Sequence, residues 1–379
     1  MNLILRHFVA LAILLSYEGG VTARTSQPVV AHWEERGIPS AELKNVVIDN
    51  VNPRRDIDSR ILDAHDGCLQ RFNGKYYLYG TWYGAGDGWG KTNKYVVYSS
   101  PNLKDWTNEG VILKDLPART YYRPCAVYNE ETHKYVLWYN TDGKMGVATA
   151  GRPEGPFAEL NSDVPLRHKD TGDLGLFVDN DGTAYVTYSY DDGGDDRKTF
   201  PISKEPIPHH QIAVEKLTPN YLGSTGQVAA PIAGNSEAPA LFRRNNLYYL
   251  LFDNTCAFCA AGSGVRVYIA SSPLGPFAYK GNINRVGSKT RDLPSPWTSP
   301  GTGRADAIVK AQQAYIAKLP GPDGGVYLWM GDRWHSSPDG IKGHDFQYWA
   351  VLSFDADGMI EQLENKNTWT IDVLISSSR

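Results

Sequence analysis

One strand signal occurs five times in this chain of 379 residues and constrains its fold more than any other feature. In each copy a hairpin turn is followed by a strand of β-branched and aromatic residues, a pattern typical of antiparallel sheets. A second segment, marked by Ser-Pro or Gly-Pro-Phe, follows three of the copies, so the repeated unit is a sheet of several strands. The five copies begin at Asn73, Thr132, Asp181, Asn245 and Gly324.

Five such units, spaced roughly 50 to 80 residues apart, match the blades of a β-propeller. No stretch beyond the N-terminal segment shows convincing helical periodicity. The sequence therefore predicts an all-β chain that folds as a single five-bladed β-propeller. The alternative is a β-sandwich whose hairpins resemble one another by accident, and five recurrences at comparable intervals favour the propeller.

The N-terminus has the pattern of a secretory signal peptide. Arg6 supplies a positive charge, residues 8–15 form a short apolar core, and residues 21–23 offer a small-residue cleavage site. The apolar run is shorter than the about 20 residues needed to cross a bilayer, which disfavours a membrane anchor. The mature chain is expected to be secreted, or periplasmic in a Gram-negative host. We predict a signal peptide over 1–23, a lead-in over 24–55 and the propeller over 56–379.

Charge and composition exclude some classes of partner. The formal net charge is −4, and the sequence has no basic patch of the kind that nucleic-acid binding requires. No segment after the signal peptide is apolar enough to cross a membrane. The 23 tyrosines, 10 tryptophans and 37 glycines suit strands, tight turns and sugar-stacking surfaces. We expect a monomer whose partner is an oligo- or polysaccharide.

The four cysteines are Cys68, Cys125, Cys256 and Cys259. Export permits disulfides. The closely spaced pair at 256 and 259 lacks both the βαβ context of a redox site and the further ligands of a zinc site. The sequence is compatible both with two structural disulfides and with free buried thiols.

Three acidic residues lie ahead of the aromatic strands of three different units. Asp66, Asp173 and Glu237 precede the first aromatic residue of their strands by ten to twelve residues. Because the innermost strand of every blade lines the central channel of a propeller, residues at this offset are expected to converge at one end of the channel. Arg123 holds the matching place in the second unit and Gln312, on a looser count, in the fifth.

Carboxylates grouped in this way indicate glycoside hydrolysis. That reaction needs two carboxyl groups flanking the scissile bond, one protonated and one ionised. A third carboxylate raises the pKa of the acid by like-charge repulsion. The alternative, that each residue binds its own turn backbone, accounts for any one acid alone but not for the shared offset.

Taken in order, these motifs resemble glycoside hydrolase family 43, a family of five-bladed propellers with inverting activity, over about residues 60–360. The resemblance implies that Asp66 is the catalytic base and that Glu237, in Glu-Ala-Pro, is the general acid. It also implies that Asp173, ahead of a Leu-Phe-x-Asp-x-Asp-Gly motif at 176–182, modulates the pKa of the acid.

Within the family the chain is most similar to the exo-β-1,3-galactanase branch. Some members of that branch lack the base Asp and use a glutamine of the fifth blade, whereas Asp66 and Gln312 are both present here. The branch also tends to carry glutamates where this chain has Thr81 and Tyr122. The shared features are Ala64-His65, Arg123-Pro124, Tyr128-Asn129, Gln312, Tyr315, Gly331 to Trp334, Tyr348-Trp349 and Phe354.

The prediction is therefore an inverting exo-hydrolase of plant- or microbe-type polysaccharide or its side chains, with β-1,3-galactan as the first candidate substrate. An α-L-arabinofuranosidase or β-xylosidase of the same family is the alternative enzyme, and a non-catalytic sugar-binding propeller is the alternative of another class. No cofactor is required and no metal ligands are predicted, although a structural cation in the channel is compatible with the sequence. Sugar contacts are expected from His65, Trp82, Tyr122, Arg123, Gln312, Arg333 and Trp334.

Overall fold

The computed structural model describes residues 41–86, 88, 90–191, 210–234, 236–254, 258–286 and 307–376. The predicted signal peptide, the lead-in up to residue 40 and Cys256 lie outside these residues. Within the described part the chain forms 21 β-strands and two 3₁₀-helices, over Pro322–Gly324 and Lys342–His344. No helix there is long and apolar enough to cross a membrane.

Nineteen of the 21 strands form the five blades: four blades of four strands and one of three. Blade 1 contains β2 (Leu69–Phe72), β3 (Lys75–Trp82), β4 (Lys94–Ser100) and β5 (Thr107–Val111), and blade 2 contains β6 (Tyr121–Asn129), β7 (Lys134–Thr141), β8 (Lys144–Ala150) and β9 (Ala158–Asn161). Blade 3 contains β10 (Thr171–Val178), β11 (Ala184–Tyr190), β12 (Gln211–Leu217) and β13 (Ser224–Val228), and blade 4 contains β14 (Ser236–Arg244), β15 (Leu247–Asn254), β16 (Val265–Ala270) and β17 (Ala278–Asn282). Blade 5 contains β18 (Gln312–Leu319), β19 (Val326–Arg333) and β20 (Phe346–Val351).

The two strands outside the blades are β1 (Ala41–Asp49) and β21 (Thr368–Ser376), which pair with each other in an antiparallel two-stranded sheet. In each blade the strands are antiparallel and follow the order of the chain. The first strands of neighbouring blades contact one another around the ring, so β2, β6, β10, β14 and β18 are the innermost strands. The predicted all-β, five-bladed propeller is confirmed.

The aromatic strands of the sequence signal are the second strands of the blades. Because they pack between neighbouring blades, they are buried on both faces, and their burial is nearly continuous along β7 and β11 rather than alternating. This explains why apolar and aromatic residues follow one another in these strands. Fully burying one large apolar side chain contributes about 1.5 to 3 kcal/mol. Among the largest fully buried side chains are Trp106, Trp138, Trp329 and Trp349.

Every innermost strand has one extra residue relative to its neighbour at the same end of the propeller. In blade 4, for example, Glu237 pairs with Asp253 and the next pair joins Ala240 to Leu251, so three steps oppose two. A bulge of this kind bends the strand and re-aims its side chains. In blades 1 to 4 the residues immediately before the bulges are His65, Tyr122, Thr171 and Glu237. In blade 5, Gln312 has the matching pairing position, but the bulge falls one residue later, between Gln313 and Tyr315.

The first residue of the bulge has a positive φ in three blades. The values are 59° at Asp66, 58° at Arg123 and 54° at Ala238. This left-handed conformation costs a residue with a side chain about 1 to 2 kcal/mol, and such strain is typical of functional sites. Asp173 is the second bulge residue of blade 3. The three predicted acids therefore occupy three successive positions: Glu237 lies just before its bulge, Asp66 is the first residue of its bulge and Asp173 is the second.

A layer of buried side chains closes the channel directly behind the bulges. The Tyr315 hydroxyl of blade 5 donates to the carbonyl of Leu176 in blade 3 (3.0 Å) and accepts from the Gln70 amide of blade 1 (3.0 Å). Cys68 and Cys125 lie in the same layer as free thiols that hydrogen-bond to each other. Cys259 is disulfide-bonded. Among the described residues this layer lies behind the bulges, so we place the open end of the site at the bulged end of the channel.

Candidate active site

Glu237 lies at the start of β14, just before the bulge, and its carboxyl is largely buried. The Gln312 side-chain amide of blade 5 donates to its Oε2 (3.2 Å). The Nδ1 of His210, which precedes β12 in blade 3, lies 3.7 Å from its Oε1. Each carboxyl oxygen thus faces a polar group from a different neighbouring blade.

Asp173 connects the acid to the rest of the site. Its carboxylate forms an ion pair with the Arg123 guanidinium (2.9 Å) and accepts from the backbone amide of Ala238 (3.1 Å), the residue after Glu237. Its own amide donates to the Ser189 hydroxyl (2.9 Å). These bonds fix the carboxylate between blades 2, 3 and 4 and beside the backbone that carries Glu237.

Arg123 is a buried cation that binds groups of two other blades. Besides Asp173, its guanidinium donates to the carbonyls of Ala314 (2.8 Å) and Gln313 (3.1 Å) in blade 5. Burial opposes its charge, but the nearby Asp173 and Asp66 carboxylates outweigh burial and raise the pKa of Arg123. Arg123 therefore stays charged and compensates the acids around it.

Asp66 is held at the mouth of the channel by hydrogen bonds from two sides. Its backbone amide donates to Oδ2 of Asp332 (3.0 Å), and the Tyr83 hydroxyl donates to its carboxylate. Burial raises the pKa of Asp66 to about 6, opposed by Arg123 and reinforced by Asp332. A carboxylate with this pKa is ionised at neutral pH and still basic enough to take a proton, as a general base must be.

His65 and Trp334 are packed behind the acids. His65 is fully buried, and its Nδ1 hydrogen-bonds to Oδ1 of Asp332 (2.9 Å). Although burial opposes the charge, this bond raises the pKa of His65 to about 9, so the imidazole is protonated and balances Asp332. Trp334 is 2% exposed, and its indole N–H donates to Oε1 of Gln312 (2.7 Å). The Lys342 ammonium lies 3.7 Å from the centroid of the Trp334 ring.

The structure gives the remaining predicted sugar-binding residues different contacts. Tyr122 lies close enough to Asp173 and Glu237 that, after burial, their charges contribute to raising its pKa. Trp82 is half-buried with the Lys94 ammonium 5.1 Å from its ring centroid. Arg333 donates to the carbonyl of Asn50 (3.2 Å), on the side of the lead-in.

Sequence reasoning missed several groups that shape the site: Tyr83, His210, Asp253 and Asp332. Asp253 is fully buried opposite Glu237, and its Oδ2 accepts from the Ser263 hydroxyl (2.8 Å). Burial, reinforced by Asp173, raises the pKa of Asp253 to about 8, so this carboxyl is neutral at pH 7. Asp253 and Asp332 both lie five residues after the first aromatic residue of their strands, so a forward count along those strands finds them.

The arrangement suits acid–base catalysis at a sugar bond. It combines a hydrogen-bonded carboxyl, a second carboxylate with a raised pKa and a third that is paired to a cation. Among the residues that the structure describes, no group of three or more His, Cys, Asp or Glu side chains is placed to hold a metal ion. The structural cation that the sequence allows in the channel therefore stays a prediction, and the described residues offer no set of ligands for it.

Comparisons with known proteins agree with this chemistry. A family model described as glycosyl hydrolases family 43 matches residues 61–319. A β-D-galactofuranosidase of Aspergillus niger is 26% identical over 227 residues, which cover 55% of this chain and 61% of that protein. An arabinoxylan arabinofuranohydrolase of Bacillus subtilis is 25% identical over 280 residues, 62% of this chain and 52% of that protein. The chain thus spans little more than half the length of these curated relatives.

Among solved structures, an exo-β-1,3-galactanase from Phanerochaete chrysosporium with galactose superposes with a TM-score of 0.66. It is 22% identical, and the match covers 88% of this chain and 71% of that one. At this identity the likeness shows the fold alone.

Proposed function

Because the chain belongs to glycosyl hydrolase family 43, we propose that it removes a terminal sugar with inversion of configuration, using Glu237 as general acid and Asp66 as general base. The observation that carries this proposal is the meeting of Glu237, Asp173, Arg123 and Asp66 at the bulged ends of the innermost strands. A sugar-binding propeller has no need of carboxyl groups with such different surroundings.

The hydrogen bonds of Glu237 indicate which oxygen carries its proton. Gln312 donates to Oε2, so Oε2 is an acceptor and the proton of the neutral acid belongs on Oε1. The ionised Asp173 favours this protonated form by like-charge repulsion, and its bond to the Ala238 amide keeps the acid in place. Glu237 then gives the proton to the leaving oxygen as the glycosidic bond breaks.

Asp66 is a better candidate than Gln312 for activating water. In an inverting enzyme the acid and the base lie about 6.5 to 9.5 Å apart, with the sugar and the water between them. The Gln312 amide lies 3.2 Å from Glu237, which leaves no such space, and its Oε1 already accepts from Trp334. Gln312 therefore acts on the acid, while Asp66 takes the proton of the attacking water.

We propose a galactosyl residue as the first candidate substrate and an arabinofuranosyl residue as the second. The first rests on the sequence features shared with exo-β-1,3-galactanases, and the second on the relative that is named an arabinofuranohydrolase. Thr81, which stands where the galactanases tend to carry a glutamate, is fully buried and accepts from the Arg123 amide (3.2 Å). Thr81 is therefore engaged in an internal hydrogen bond at this position.

We also propose that the protein is exported. The signal-peptide pattern over residues 1–23 and the disulfide-bonded Cys259 both support this, since disulfides persist in oxidising compartments.

The test is hydrolysis of aryl and natural glycosides of galactose, arabinose and xylose by the wild type and by Glu237→Gln. We expect the substitution to lower kcat/KM on natural substrates at least about 100-fold, because the proton to the leaving oxygen is lost. On dinitrophenyl glycosides, whose leaving group needs no proton, the loss should be much smaller. The near-isosteric change should leave the melting temperature unaltered.

A folded Glu237→Gln variant with near-normal rates on natural substrates would remove Glu237 from this role. Binding of sugars without hydrolysis of any of them by the wild type would instead favour the sugar-binding propeller.

A further inference from the structure

His210 reaches the acid from another blade. Its Nδ1 lies 3.7 Å from Oε1 of Glu237, whereas the Gln312 amide donates to Oε2. The carbonyl of His210 accepts from the amide of Ser236 (2.9 Å), the residue before Glu237, so its backbone is tied to the strand that carries the acid. The side chain of His210 is 39% exposed, whereas that of Glu237 is 9% exposed. The imidazole therefore bridges solvent and a nearly buried carboxyl.

Each inverting turnover leaves the two carboxyl groups in the wrong protonation states. Glu237 has given its proton to the leaving oxygen, and Asp66 has taken one from water. The overall reaction consumes one water and no net proton, so Glu237 must regain a proton and Asp66 must release one before the next cycle. The Gln312 amide donates to Oε2 of Glu237 and His210 lies beside Oε1, so Oε1 is the atom that His210 can reprotonate.

We propose that His210 is the relay that returns a proton to Glu237 after each turnover. This inference rests on the role of Glu237 as the general acid. Imidazole changes its charge between pH 5 and 8 and can hold a proton on either ring nitrogen. The ring takes a proton from solvent at Nε2 and passes its Nδ1 proton to Oε1, and exchange of the ring protons with water then restores the Nδ1–H tautomer. The proton that Asp66 releases to solvent balances the one taken up. A contact of 3.7 Å needs only a small side-chain rotation, and catalytic hydrogen bonds are often long in the free enzyme.

The variants His210→Gly and His210→Asn test this role. The φ of His210 is 56°, a conformation that glycine and asparagine adopt more readily than other residues, so both keep the backbone. Asparagine still offers a polar amide but transfers no proton at neutral pH. On a natural substrate we expect both variants to lose about ten-fold in kcat, within the range of proton-transfer contributions, with KM nearly unchanged.

Added imidazole should restore kcat of His210→Gly in a saturable way, because it can occupy the space of the lost ring, and should leave the wild type and His210→Asn unchanged. On dinitrophenyl glycosides, which draw no proton from Glu237, all three proteins should have equal rates. A wild-type kcat for His210→Asn, or a His210→Gly variant that is slow and insensitive to imidazole, would overturn the relay.

Glu237→Gln measured alongside separates the two proposals. If Glu237→Gln is inactive on natural substrates while His210→Asn is normal, only the relay fails. If Glu237→Gln is fully active, the acid assignment fails and the relay with it.

Discussion

Replacing Arg123 tests how the site balances its charges. Arg123→Met removes the cation that pairs with Asp173 and leaves the carbonyls of Gln313 and Ala314 without its N–H donors. Removing one partner of a buried ion pair costs about 3 to 5 kcal/mol, because the other charge stays buried and uncompensated. For a propeller of this size each kcal/mol corresponds to about 1.5 °C, so we expect the melting temperature to fall by about 6 °C.

The same substitution should move the pH dependence of the reaction. Asp66 must be ionised to act as a base, and Arg123 lowers the pKa of Asp66, which is about 6. Without the cation, ionisation is harder and the pKa rises, so the acid limb of kcat/KM should move to higher pH. A lost charge–charge interaction of about 1.4 kcal/mol corresponds to a shift of about one pH unit.

Arg123→Lys is the matched control, because it keeps the charge but loses the planar fork that binds three acceptors. Its acid limb should stay near pH 6, and its melting temperature should fall less than that of the Met variant. The assay is kcat/KM on an aryl glycoside between pH 4 and 9, together with thermal melts. An acid limb in Arg123→Met that coincides with the wild type would show that Arg123 does not control the ionisation of the base.

Two further substitutions test Asp253 and Gln312, which both lie next to Glu237. Asp253 has a pKa of about 8 in the folded protein, so the folded state keeps a proton that the unfolded chain releases above about pH 4. As the pH rises from 4 to 8, this group therefore lowers the free energy of unfolding by about 1.4 kcal/mol for each pH unit. Asp253→Asn should therefore gain in melting temperature relative to the wild type over that window, and a gap that is constant with pH would argue against a buried neutral carboxyl. Gln312→Ala removes one hydrogen bond to Glu237 and should lower kcat about ten-fold, far less than Asp66→Asn. An active Asp66→Asn beside an inactive Gln312→Ala would make Asp66 a structural residue and Gln312 the group that activates water.

The architecture follows from the sequence because the second strand of each blade is buried on both faces. That environment demands runs such as Tyr76 to Tyr79, which no solvated hairpin would carry, and five of them specify five blades. The offset of the acids from these runs predicted a common end of the channel. The offset did not predict the bulges, in which one extra residue changes the direction of the side chains that follow. Glu237, for example, is the last paired residue before the bulge of blade 4.

Other parts of the site depend on contacts between distant segments. The carbonyl of His210 accepts from the amide of Ser236, a contact between distant segments that no local pattern encodes, and this bond helps to place the ring near Glu237. His65 stands next to Asp66 in the sequence, yet its ring pairs with Asp332 of the fifth blade. Local spacing can predict that candidate residues lie at one end of a propeller. It cannot predict which of them face the substrate and which hold the others in place.

The anomeric configuration of the first product tests the central claim most directly. Proton NMR during the earliest part of hydrolysis distinguishes the two anomers before mutarotation mixes them. If Asp66 activates water opposite Glu237, a β-linked substrate should release the α-anomer first, because water attacks the face away from the leaving group. Initial release of the β-anomer would mean that configuration is retained through a covalent intermediate, and would contradict the assignment of Asp66 as a general base.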